Sequence, residues 1–210
     1  MDSQILLSNL MILSLSERIE LEQEILFQTL ESGDVKFFCD QGDKCEKEFN
    51  VNVIINARDK RLGFEGRTLL HNAARYSQST HGAVEYLLHK GCNIDATDSS
   101  VSLITPLMDA VLANSINAAV VLVQAGANLF ARDMSGENVL HYCARNGSTI
   151  MIQKILQAAE LPSRLIQELA SQTNVKLKFP EDISSNLLCK EVLTDYRENG
   201  FHHIKHKNKK

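Results

Sequence analysis

The chain has 210 residues, of which 44% are hydrophobic, 23% are charged and 6% are aromatic, and it contains no Trp. This length suits a single domain with tails, and these proportions are those of a globular protein with cores of Leu, Ile, Val and Ala rather than of a large β-sandwich. The net charge of −4 is too small to indicate a partner by itself.

The N-terminal segment, residues 1–19, begins with an apolar run at residues 4–13. The run is too short to span a bilayer, and Asp2 stands where a signal peptide would carry a basic residue. We therefore expect no membrane association. The run predicts a helix that packs or contacts a partner, with Leu6, Leu10 and Leu13 on one face.

Residues 20–59 predict a helix, a turn at Gly33 and a second helix, and they close with a short phrase that ends at Asp59. The acidic stretch 40–46 is expected to interrupt this unit. It lacks ligands at alternate positions around a central glycine, so a calcium loop is disfavoured.

One phrase then occurs three times at a period near 35 residues, in the segments 68–74, 105–111 and 138–144. A second phrase, led by glycine, falls between the copies at residues 91–98 and 126–133. Asp59, Asp98 and Asp133 end equivalent phrases, 39 and then 35 residues apart. A fixed period of this length is typical of a stacked array, in which each unit buries its apolar face against its neighbours.

The recurring phrase resembles the helix-opening motif of the ankyrin repeat, T-P-L-H-x-A-A. The resemblance implies an all-α solenoid of about four helix-turn-helix repeats with flanking helices. The predicted repeats, the first of them divergent, are residues 20–59, 60–98, 99–133 and 134–157.

The motif also assigns structural roles to single residues. Its Thr caps the first helix and can bond the His three residues on, so His71 and His141 are expected to be structural rather than catalytic. Met108 replaces the third His, and that bond is therefore absent. Gly91 and Gly126 are expected to end second helices in the left-handed conformation.

Beyond residue 157 the motif stops. Residues 158–200 predict capping helices, one opened at Pro162 and one over residues 186–196. Residues 201–210 predict a basic, disordered tail. Its histidines (His202, His203 and His206) could bind a metal weakly and its lysines could act in nuclear import, but a simple flexible tail is favoured over both.

The five cysteines form an odd number and include no C-x-x-C pair. This pattern disfavours a disulfide framework and a zinc site, and it predicts a reducing, intracellular compartment, cytoplasmic or nuclear. Cys143 is expected to act as a small buried apolar group. No catalytic residue, cofactor or metal is predicted.

In ankyrin proteins the recognition face is built from the loops called fingers and from the exposed side of each first helix. Carried over by position, the resemblance places nine residues there: Arg58, Arg67, Arg75, Tyr76, Arg132, Met134, Glu137, Arg145 and Asn146. Five of the nine arginines are in this set, and Arg suits carboxylates and interface cores. We therefore predict that this face binds an acidic segment of another protein. Alternatively, these arginines pair with aspartates and hold the array together: Asp59, Asp98, Asp109 and Asp133.

The predicted function is a protein-interaction module, monomeric, acting as an adaptor, inhibitor or targeting domain. One alternative is the regulatory ankyrin domain of a larger enzyme such as a histone methyltransferase, or the ankyrin region of a signalling receptor. An active site within residues 158–210 is disfavoured, because that segment is short and shows no acid–base pair. Nucleic-acid binding is disfavoured because residues 57–157 hold nine Lys and Arg against eight Asp and Glu.

Overall fold

The computed structural model describes residues 14–49, 51–61, 66–76, 81–99 and 102–200. Two predictions fall outside these ranges: the N-terminal apolar helix with Leu6, Leu10 and Leu13, and the tail at residues 201–210 with its histidines.

The described part of the chain is helical and contains no strand, so the predicted all-α array of helix pairs is confirmed. The helices before the third copy of the motif are α1 (Leu15–Ser32), α2 (Val35–Glu48), α3 (Val51–Ile55), α4 (Leu69–Arg75), α5 (His81–His89), α6 (Pro106–Leu112) and α7 (Ile116–Gln124). Those that follow are α8 (Val139–Asn146), α9 (Thr149–Ala159), α10 (Ser163–Ala170), α11 (Pro180–Ile183) and α12 (Leu187–Asn199). None of them is long and apolar enough to cross a lipid bilayer.

The helices stack in two layers. The first helices α4, α6 and α8 pack on one another, and the second helices α5, α7 and α9 do the same. The motif leucines Leu70, Leu107 and Leu140 are buried at the centre of this stack. Burying one such side chain contributes roughly 1.5–3 kcal/mol, so the motif supplies the core as well as the helix starts.

The acidic stretch 40–46 does not interrupt the first unit but lies within α2. Two of its carboxylates contact Lys90, the residue after α5: Lys90 Nζ lies 2.9 Å from Asp43 and 2.5 Å from Glu46. The hydroxyl of Tyr86 donates to Asp43 at 2.8 Å. These contacts give the acids a structural role between two second helices.

The predicted bond between Thr and His at the helix start is confirmed. The Thr68 hydroxyl lies 2.8 Å from Nδ1 of His71, while Nε2 of the same ring donates to the carbonyl of Ile104 at 2.9 Å. The ring of His141 reaches the carbonyl of Lys178 in the same way, at 3.2 Å. Each histidine therefore joins its own unit to the following segment.

The second helices end as predicted, because Gly91 has a φ of 80° and Gly126 one of 94°. Each then leads into a finger, the loop that turns back before the next first helix. A backbone bond closes each finger: Asp59 N to Arg67 O at 2.7 Å, Asp98 N to Ile104 O at 2.9 Å, and Asp133 N to Glu137 O at 3.0 Å.

Residues 174–199 repeat this order after α10, with a finger, a short helix and a longer helix. Asn174 N donates to Lys178 O at 3.0 Å, which closes a finger of the same kind. Pro180 opens α11, and the Phe179 N–H donates to Asp182 at 2.9 Å. Helix α11 packs on α8, where the first helix of a further unit would lie. The segment predicted as capping helices thus contains α10 followed by an arrangement like that of a repeat unit. Its sequence does not carry the repeat motif.

Candidate protein-interaction face

The nine predicted face residues lie at two levels of the array. Five are on the fingers, namely Arg58, Arg67, Arg132, Met134 and Glu137, and four are at the ends of first helices, namely Arg75, Tyr76, Arg145 and Asn146. Their side chains differ widely in exposure and in internal contacts, which decides what each can offer a partner.

Arg67 and Arg75 both reach Asp109, on the first helix of the next unit. Arg67 Nε lies 3.1 Å from Oδ2 of Asp109, and Arg75 Nη1 lies 3.4 Å from Oδ1. Asp109 is completely buried, and burial raises its pKa to about 6 against the opposing effect of the two arginines. The Arg67 contact is an ion pair without the alignment of a hydrogen bond. Arg67 is therefore mainly an internal residue, whereas Arg75 remains partly exposed.

Arg145 pairs with Glu137 on the finger of its own unit. The distance between Nη2 and Oε2 is 2.5 Å, and the Arg145 guanidinium carbon lies 6.0 Å from the Tyr142 ring centroid. The other Glu137 oxygen accepts from the Asn174 amide at 3.2 Å. Glu137 is buried, so it holds two fingers and a helix together instead of presenting its carboxylate to solvent.

Arg58 and Arg132 donate to backbone carbonyls. Arg58 Nη1 bonds Gly66 O and Thr97 O, each at 2.8 Å. Arg132 Nε bonds Gly136 O at 2.9 Å, and its Nη2 bonds Thr173 O. Each arginine thus joins its own finger to the next one, and neither forms an ion pair with a carboxylate among the described residues.

The alternative role for the arginines, pairing with aspartates, is found at Asp109. Of the other candidates, Asp59 pairs with Arg61 at 2.6 Å, and Asp133 accepts from the Tyr142 hydroxyl at 2.8 Å. Arg61 is not one of the nine predicted face residues, and it lies only two residues from Asp59. Internal pairing thus accounts for part of the arginine-rich surface and leaves the rest exposed.

A groove of about 380 Å³ opens between the third and fourth units. Met134 and Arg145 line it together with two residues that the sequence did not indicate, Ile104 and Leu112. Asn146 follows Arg145 at the edge of the groove, and its amide donates to Val111 O at 2.5 Å. Tyr76, at the end of α4, is partly exposed. Leu112 is exposed at the last position of α6. An apolar residue at that position was the signal in the sequence for this groove.

The imidazoles of His71 and His141 are held inside the array, and burial lowers the pKa of both, that of His71 to about 4. Within the described ranges, no group of three or more His, Cys, Asp or Glu side chains is placed to hold a metal ion. What the face offers is therefore the partly exposed guanidinium groups of Arg75 and Arg145, and a groove lined by both apolar and polar side chains.

Two comparisons bear on this architecture. The family model described as ankyrin repeats (three copies) matches residues 8–133 and 80–164. The B-cell lymphoma 3 protein homolog of Mus musculus is 35% identical to the chain over 95 residues. That match takes in 45% of the chain but spans only 20% of the mouse protein.

Proposed function

Because this chain belongs to the ankyrin repeat family, we propose that it acts as an adaptor, inhibitor or targeting module that binds a partner protein on its finger and first-helix face. Ankyrin repeats generally serve as protein–protein interaction modules. The observation that supports this use of the face is the open groove between the third and fourth units, which carries apolar side chains next to Arg145.

The proposed partner segment is acidic. The side chain of Arg75 is 42% exposed and that of Arg145 is 54% exposed, although each contacts an internal carboxylate. A guanidinium carries five N–H donors in a planar fork, so a second carboxylate has room to bind beside the internal one. Arg75 and Arg145 also occupy the same position in the second and fourth units, and Leu112 occupies it in the third.

We further propose that the chain acts by binding and not by catalysis, in the cytoplasm or the nucleus. The histidines that sequence alone would offer as a base are engaged with backbone carbonyls. All five cysteines are free thiols, which supports a reducing compartment.

The test starts with a partner identified by crosslinking and mass spectrometry on the full chain, and then measures its affinity by calorimetry. The variant combines Arg75→Gln with Arg145→Gln, since Gln keeps a donor for Asp109 and for Glu137 while removing the charge. We expect at least a tenfold loss of affinity with a thermal midpoint within a few degrees of the parent. Arg164→Ala, an exposed change on α10, is the matched control.

Two results would contradict the proposal. Unchanged affinity in the double variant would place the partner elsewhere on the protein. A large drop in the thermal midpoint would assign both arginines to holding the array together.

A further inference from the structure

The tips of the last three fingers form a continuous strip. Met134 N donates to Ser102 O at 3.0 Å, and Val175 N donates to Ser135 O at 2.9 Å. These two bonds place residues 102–104, 133–137 and 174–178 of three successive fingers side by side. The array therefore continues past the recognisable repeats, and its final finger belongs to the segment without the motif.

The strip is unusually apolar at the tips. Met134 is 58% exposed, Val175 67% and Leu177 81%. Leu177 also has a φ of 56°, at the finger position where the preceding finger has Gly136 with a φ of 72°. A leucine is strained in this conformation, and burial does not offset the strain. Exposed apolar side chains grouped on adjoining fingers are the kind of surface that marks an interaction site.

Cations surround these tips. Arg132, Lys176 and Lys178 form no ion pair with any carboxylate in the described part of the chain. The nearby acids are directed inward, because Glu137 binds Arg145 and Asn174 while Asp133 accepts from Tyr142. The strip therefore has an apolar centre with a positively charged rim.

We propose that this finger strip binds an acidic amphipathic segment of the partner protein. Its apolar side chains would cover Met134, Val175 and Leu177, and its carboxylates would reach Arg132, Lys176 and Lys178. The inference rests on the proposed function and adds to it a second contact, at the C-terminal end of the array. The chain's own ending, residues 201–210, has the same sign of charge as the rim and is a poor occupant.

The probes are two synthetic 18-residue helical peptides that share a face of leucines and carry either Glu or Lys on the other face. Each is titrated into the ¹⁵N-labelled full chain and followed by amide chemical shifts. We expect the Glu peptide to shift the amides of residues 102–104, 134–136 and 174–178. We expect the Lys peptide to bind at least tenfold more weakly.

The variants separate binding from folding. Val175→Ser with Leu177→Gly should weaken the Glu peptide at least tenfold without lowering the thermal midpoint, because glycine suits the left-handed position. Leu187→Ser with Leu188→Ser removes two exposed leucines of α12, away from the fingers, and should change affinity less than twofold.

Several results would overturn the inference. These are equal binding of both peptides, no binding of the Glu peptide, and unchanged affinity in the finger variant. Sedimentation showing a dimer that this variant dissolves would assign the strip to a second copy of the chain. Amide shifts confined to the surroundings of Arg75 and Arg145 would contradict binding at the strip but not the proposed function. The titration of the natural partner tests that function independently.

Discussion

Arg67 Nε lies 3.1 Å from Asp109 Oδ2, and water reaches neither atom. The two residues come from successive units, and Arg75 adds a second positive group to the same carboxylate at 3.4 Å. A charge buried between two units depends on its partners, and for Asp109 these are Arg67 and Arg75, the two cations that contact it among the described residues.

We therefore expect Arg67→Ala to destabilise the protein by at least about 2 kcal/mol. Removing one partner of a buried pair commonly costs about 3–5 kcal/mol, and Arg75 compensates in part. The measurement is urea unfolding at pH 7.5. Lys60→Ala, which removes an exposed pair with Glu20, is the control and should change the free energy of unfolding by less than about 0.5 kcal/mol. Equal effects of the two changes would contradict the assignment.

Asp109 should also make stability depend on pH. Burial, the largest cause, raises its pKa to about 6, whereas an unfolded Asp titrates near 3.8. The folded chain binds this proton more readily, so the contribution to stability is full below about pH 4 and is lost as the pH rises through 6. We expect the parent to lose about 1 kcal/mol relative to Asp109→Asn between pH 5 and pH 7.5.

The comparison with Asp109→Asn is needed because His71 acts in the opposite direction. Burial lowers the pKa of His71 to about 4, so its contribution is present above about pH 6.5 and is lost on acidification. Parallel stability curves for the parent and Asp109→Asn, measured by urea unfolding across this range, would show that Asp109 does not titrate as described.

The repeats could be predicted because each carries its own local signals. Each signal acts within a few residues of the backbone: Thr68 bonds His71 at the helix start, and a glycine ends the second helix. Both signals recur along the chain. The unit at residues 174–199 lacks them. Phe179 stands in place of the capping Thr, and Asp182 caps the chain instead of His. Pro180, which begins the short helix α11, is the one remaining signal of the motif in this unit. The inserted helix α10 also interrupts the repeat period of about 35 residues.

The sequence indicates that these arginines lie on fingers and at the ends of first helices, but it does not show which groups they contact. Asn72 donates to Asp59 at 3.3 Å and the Tyr142 hydroxyl donates to Asp133 at 2.8 Å, each to the aspartate that begins the finger before its own helix. The equivalent residue of the third unit, Asp109, has no proton to donate when ionised. It instead attracts arginines from the preceding unit, a relationship that needs three-dimensional stacking to be seen.

The last finger should depend on Asn174. Its side-chain oxygen accepts from Lys176 N at 2.9 Å and Lys178 N at 3.1 Å, and its amide donates to the buried Glu137. We expect Asn174→Ala to cost about 1–3 kcal/mol, because buried partners lose their bonds. Asn199→Ala, on an exposed turn of α12, should stay within about 0.5 kcal/mol in the same urea titration. A neutral Asn174→Ala would mean that the finger closes without this side chain.

Met108 occupies the position that holds His71 and His141 in the neighbouring units, and it is as deeply buried as they are. Its cap Thr105 is in place, and the carbonyl of Glu137 precedes the next cap as that of Ile104 does for His71. Met108→His should therefore form the missing bond between the third and fourth units. We expect its stability at pH 7.5 to remain within about 1 kcal/mol of the parent.

The new imidazole of Met108→His should make the free energy of unfolding more sensitive to acid. Burial lowers the pKa of both existing motif histidines, so the variant should lose more stability than the parent as the pH falls from 7.5 to 5. Met108→Leu is the control and should add no such slope. Urea unfolding at the two pH values gives the comparison, and an NMR titration gives the pKa of the new imidazole directly. A value close to that of a solvated histidine would show that the ring lies outside the core, because burial is the main cause that lowers the pKa of the existing motif histidines.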